Sequence, residues 1–117
     1  MTTSKLNLVV LRVRDLNQSR SFYEALGIVF TEEQHETGPV HLAAELGECV
    51  LELYPATSKR PPTVSTQLGF TVTSIEQTLA TLLDVSAKVL SAPNDSSEPR
   101  RAIVSDPDGH SVHLTET

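Results

Sequence analysis

Three side chains able to hand a lone pair to a divalent metal lie far apart in this chain: Glu52 in "VLELY", Gln67 in "TQLGF" and His113 in "SVHLT". A carboxylate, an amide oxygen and an imidazole suit hard to borderline ions such as Zn²⁺, Ni²⁺, Co²⁺ or Mn²⁺. Glu52 is also a candidate base. Arg12, in "LRV", has the forked donors that hold anionic groups, and the hydroxyl of Tyr54 is free to bond a ligand. Such residues act together only if the fold carries them to one place.

The patterning predicts that fold. Residues 6–13, "LNLVVLRV", read as a strand. A helix follows over 15–27, with Asp15 and Gln18 forming a box-like start and Gly27 a natural stop. Three short strands are expected at 28–35, 39–46 and 49–54, separated by Gly38-Pro39 and Gly47-Glu48. The stretch "PATSKRPPTVS" (55–65) reads as a linker. The order then returns: strand 66–72, helix 74–84 capped at Ser74, and strands 86–92, 101–105 and 110–116. The polar loop 93–99 is a candidate lid. Val13 to Val72, Asp15 to Ser74 and Gln18 to Gln77 are all separated by 59 positions. The chain, 1–117, therefore reads as one α+β domain of two βαβββ modules, about 5–54 and about 66–116. Two antiparallel-rich curved sheets, each covered by one helix, leave their other faces around a cup-shaped cavity.

Strand alternation sorts the side chains. Val9, Leu11 and Val13 pack on the helix, and Leu8, Val10 and Arg12 face the cavity. Leu51 and Leu53 oppose Val50, Glu52 and Tyr54. Leu68, Phe70 and Val72 oppose Gln67, Gly69 and Thr71. Val112 and Leu114 oppose Ser111, His113 and Thr115. The repeat pairs Leu8 with Gln67, and Glu52 with His113, so four related inward positions hold three donors and one leucine. The turn Asp106–Gly109 and His110 read as hairpin architecture, and Tyr23 and Phe22 mostly as packing. His35 and His41 are expected to be exposed or on the rim.

The bulk numbers narrow the partners. The 117 residues carry a net charge of −6, which disfavours nucleic acid and favours a neutral or cationic small molecule. A single cysteine, Cys49, forms no internal disulfide and fits a reducing cytoplasm. The run Leu8–Leu11 is too short to span a membrane.

The ordered stretches "LRVRDLNQSRSFYEALGI", "GECVLELY" and "DPDGHSVHL" resemble the vicinal oxygen chelate superfamily, the glyoxalase/bleomycin-resistance/dioxygenase group. The resemblance implies paired βαβββ modules, a cup-shaped small-molecule site, no nucleotide cofactor, and a homodimer with each site built across the interface. It implies metal ligands at the four inward positions. Glu52 matches the usual carboxylate. Gln67 stands where His is common, His113 where Glu is usual, and Leu8 where His or Gln is usual. Glyoxalase I enzymes use an arginine like Arg12 on a glutathione carboxylate. Their Asn after the "LEL" glutamate is Ala56 here and their second arginine is Thr63.

Three readings follow. A divalent-metal lyase or isomerase of the lactoylglutathione-lyase type uses Glu52, Gln67 and His113, with Arg12 orienting substrate. A metal-free drug or metabolite binding protein follows from Leu8, which would then line the pocket beside Tyr54. A dimeric scaffold has a vestigial cavity. An extradiol dioxygenase would want two inward histidines, and only His113 is available.

Overall fold

The computed structural model describes residues 2–96 and 98–117; Met1, and Ser97 in the expected polar loop, lie outside the described residues. Among the described residues, ten elements follow one another in the order the repeat requires. The first module is β1 (Leu8–Val13), α1 (Leu16–Glu24), β2 (Thr31–Glu33), β3 (His41–Leu46) and β4 (Cys49–Pro55). The second is β5 (Gln67–Val72), α2 (Ile75–Asp84), β6 (Lys88–Ser91), β7 (Arg101–Ser105) and β8 (Ser111–Glu116). Each module makes its own four-stranded sheet, in the orders β1-β4-β3-β2 and β5-β8-β7-β6. The first strand of each pairs in parallel with the last, and the other neighbours are antiparallel.

Both helices start on the residues named from sequence. Asp15 Oδ1 accepts from the Gln18 amide at 3.1 Å, and Ser74 Oγ from the Gln77 amide at 3.2 Å. The first helix ends at Glu24 rather than Leu26. Its last bonds, from the Leu26 amide to the Tyr23 carbonyl and from Gly27 to Glu24, tighten to a three-residue spacing. Gly27 then turns the chain at φ +89°, where a side chain would be strained. The second strand shrinks to Thr31–Glu33 because Ile28 and Phe30 enter the core from outside the ladder.

One apolar cluster spans both modules. Leu11, Val13, Phe22, Leu42, Leu51 and Leu53 pack with Ile75, Leu82, Ala102, Val104, Val112 and Leu114. Leu11, Val13, Leu51, Leu53, Val112 and Leu114 are alternating positions that periodicity assigns to the helix side. The expected linker is tightly fastened: the Ala56 amide bonds Val13 O at 2.8 Å, and Thr63 bonds both backbone groups of Arg12 through its hydroxyl.

A polar knot adds to the seam between modules. Asp106, in the turn before β8, is buried and accepts from the Tyr23 hydroxyl at 2.6 Å, the His110 amide at 2.9 Å and the Asp108 amide at 3.0 Å. The His110 ring is fully buried, with Nδ1 2.6 Å from Asp106 and Nε2 3.0 Å from Thr63 Oγ1. Asp108 accepts from the Arg14 amide at 3.0 Å and from Ser19 Oγ at 3.3 Å, which extends the knot along α1. Burial, reinforced by the charge and hydrogen bond of Asp106, pushes the Tyr23 phenol far up, so it stays a donor. Burial alone would raise the Asp106 carboxyl, but hydrogen bonds from the His110 ring and Tyr23, then the His110 amide and the charge of His110, hold it below its ordinary value.

A depressed carboxyl contributes stability above its unfolded value and loses it as pH falls through the folded one. Asp106→Asn is therefore expected to cost about 2–4 kcal/mol at pH 7. That difference should narrow in acid, at and below the depressed pKa of Asp106, where the wild-type carboxylate is itself protonated. Urea melts of both proteins at the two pH values check this.

Candidate functional site

With the core claiming one face of each sheet, the other face carries the chemistry. On the first sheet the register sets Arg12 beside Tyr54, and Glu33 opposite His41. The next row holds Val10 beside Glu52, with Ala43 opposite Glu52 and Thr31 opposite Ala43. The first row is a column of stacked groups. The Arg12 guanidinium carbon sits 4.8 Å from the Tyr54 ring centre. Tyr54 stacks on His41 at 4.1 Å and 8°, and His35 tilts against His41 at 5.1 Å.

His41 is 1% exposed, which corrects the expectation of a rim residue. It lies in an interior strand, between β2 and β4, and the Tyr54 ring stacks on it. Its Nδ1 is 3.2 Å from the Pro39 carbonyl, which can only accept, so Nδ1 carries a proton. Its Nε2 faces the Tyr54 hydroxyl at 3.3 Å, Glu33 Oε1 at 3.4 Å and Glu52 Oε2 at 3.9 Å. Alternation along "HLAAEL" was the available signal: with Leu42 and Ala44 in the core, His41 must share the face of Glu52.

The structure thus brings Tyr54 and Glu52 to His41, with Arg12 over the Tyr54 ring. Glu52 makes no ion pair with Arg12 or Arg101 among the described residues. Leu8 is on the same face and 48% exposed. Gln67 and His113 lie on the second sheet, Gln67 exposed beside Ser111 and His113 half-buried between Gly69 and Ile103. The registers are equivalent: Val10 neighbours Glu52 as Gly69 neighbours His113. No hydrogen bond or ion pair joins Glu52, Gln67 and His113 among the described residues. Within one chain, Glu52 and the apolar Leu8 belong to one sheet, and Gln67 and His113 to the other.

A concavity of about 620 Å³ opens on the first sheet, lined in part by Val29, Ala43 and Val50 and by Glu33, Glu45 and Glu52. Another, of about 710 Å³, lies by the start of α1 and the end of α2, lined in part by Gln18, Val85, Lys88 and Pro107, and contains none of the site residues predicted from sequence.

A family model described as the glyoxalase/bleomycin resistance protein/dioxygenase superfamily matches residues 5–114. The chain belongs to that superfamily. A search of curated proteins finds no match. Among solved structures, the superfamily fold recurs in TnmS3, an antibiotic binding protein from Streptomyces sp. CB03234, at 24% identity and TM-score 0.75, covering 99% of this chain and 98% of that one. A glyoxalase-related enzyme from Fulvimarina pelagi is 17% identical with TM-score 0.76, covering 98% and 89%. A hypothetical protein, SA1046 from S. aureus, is 20% identical with TM-score 0.74, covering 100% and 95%. These likenesses establish the fold.

Tyr54→Leu keeps the apolar bulk but removes the stack and the hydroxyl facing His41. It should destabilise the chain by about 1–2 kcal/mol, read as a lower urea midpoint at unchanged slope.

Proposed function

We infer that this protein binds a small cationic molecule with an apolar body on the open face of its first sheet. The observation that carries this reading is the concavity itself, whose lining combines apolar Val29, Ala43 and Val50 with three carboxylates, Glu33, Glu45 and Glu52. Carboxylates meeting a cation over an apolar surface supply both orientation and desolvation. The net charge of −6 adds long-range attraction of the same sign. Leu8, exposed on the same face, extends the apolar surface. The antibiotic binding protein TnmS3 offers an analogy, carried by the fold alone.

A second copy of the chain completes the site in this reading. The second sheet leaves Gln67, Gly69 and Thr71 exposed on its open face, and an uncovered sheet face of this kind suits a symmetric partner. A two-fold arrangement would also bring Glu52 of one chain toward the Gln67 and His113 positions of another. A divalent-metal lyase or isomerase is the second reading, favoured by the register equivalence of Glu52 and His113. There the ion would polarise substrate oxygens, Glu52 would hold it or move the proton, and Arg12 would orient an anionic group. The lone Cys49 suits a cytoplasmic setting for either.

Thermal-shift and calorimetric titrations with cationic aromatic compounds, against their neutral isosteres, test the first reading. Stabilisation by the cations, weakened about tenfold by Glu52→Gln, is expected. No response to any cation, together with metal-dependent isomerisation of a glutathione hemithioacetal that Glu52→Gln abolishes, would replace the binding reading with the enzymatic one.

A further inference from the structure

The geometry points to a divalent-cation site of the zinc class formed by Glu33, His35 and His41, at the β2–β3 hairpin and adjoining Glu52, one of the four repeat-related positions. Oxygen and nitrogen donors of these three residues all lie within 4.8 Å of one another. The hairpin register explains why. Glu33 stands directly opposite His41, and His35, in the loop just after β2, tilts its ring against His41 at 5.1 Å. The intervening loop is held by its own bonds: the Gly38 amide to His35 O at 2.9 Å, and Gln34 Nε2 to Gly38 O at 2.9 Å.

His41 has the surroundings of a ligand. Its ring is buried, its Nδ1 proton is committed to the Pro39 carbonyl, and its Nε2 lone pair is thereby aimed at the cluster. A backbone carbonyl on the far nitrogen is the usual way a metal-bound imidazole is oriented. That Nε2 faces carboxylate oxygens of Glu33 at 3.4 Å and Glu52 at 3.9 Å. A lone pair beside two anions is repulsive, and a cation among them removes the repulsion. The competing occupants of that lone pair are a proton and a hydrogen bond from the Tyr54 hydroxyl, 3.3 Å away.

The donor set names the ion. Two imidazoles and one carboxylate match Zn²⁺ or a neighbouring first-row ion better than Ca²⁺ or Mg²⁺, which prefer oxygen. Tetrahedral zinc spaces its ligand atoms by about 3.3–3.4 Å, given bonds of about 2.0–2.1 Å. Glu33 Oε1 already lies 3.4 Å from His41 Nε2 and 3.8 Å from His35 Nε2. The His35 side chain is 73% exposed and free to swing inward. The fourth position is open to water or to Glu52.

Isothermal titration of untagged, chelator-treated protein with Zn²⁺ tests the site. One ion per chain is expected. His35→Ala and Glu33→Gln should each weaken binding by about tenfold or more, since even outer-shell partners cost that much. Both side chains are exposed enough that the fold should survive, which far-ultraviolet circular dichroism checks. Gln67→Ala and His113→Ala should leave the affinity unchanged. Absence of zinc binding by the wild type would overturn the proposal, as would binding that survives His35→Ala and Glu33→Gln but is lost with Gln67→Ala or His113→Ala. Glu33 belongs both to this site and to the concavity proposed for an organic cation, so His35→Ala, outside that lining, is the variant that separates zinc binding from capture of the organic cation.

Discussion

A buried carboxylate, Asp106, ties the two halves of this protein together. It gathers the ring and amide of His110, the Asp108 amide and the hydroxyl of Tyr23, and so clamps the turn before the last strand against the first helix. An isolated charge in that position would be costly, and four donors offset the cost. Thr63 continues the clamp, linking the His110 ring to the backbone of Arg12. The first strand of one sheet and the last strand of the other are thus positioned through the same small group of atoms.

That clamp, with the shared apolar cluster, commits one face of each sheet to the interior. Alternation then leaves every other strand residue on the opposite face, whatever its chemistry. On the first sheet that face received Arg12, Glu33, His41, Glu52 and Tyr54. Their proximity is a direct consequence of register: the stacking of Arg12 on Tyr54 and of Tyr54 on His41 runs across strands β1, β4 and β3. Three carboxylates and apolar side chains together line the concavity on that face.

Legibility in the sequence followed the range of the interaction. Leu51 and Leu53, or Val112 and Leu114, announce their face through neighbours two residues away, and both helix starts are written in four-residue boxes. The duplication extended this reach, because it identified His113 as the counterpart of Glu52, and the two registers agree. Tyr23 and Asp106 are 83 positions apart, and nothing local marks a phenol and a turn aspartate as partners. The His41 cluster was hidden for a different reason. Its strand was recognised, but its two faces were not assigned, and a histidine beside a loop looked like a rim residue until its strand took an interior place in the sheet.

The central claim is that the open faces become a working site only when a second copy covers them. Sedimentation velocity at roughly 100 µM protein tests it most directly, because association is governed by mass action. The account predicts a particle of about twice the 12.7 kDa chain mass. Gly69→Glu should return it to a monomer with unchanged circular dichroism, because a side chain at Gly69 meets nothing within 4 Å in the single chain. A wild-type protein that sediments as a monomer at that concentration, or a Gly69→Glu variant that still dimerises, would contradict it.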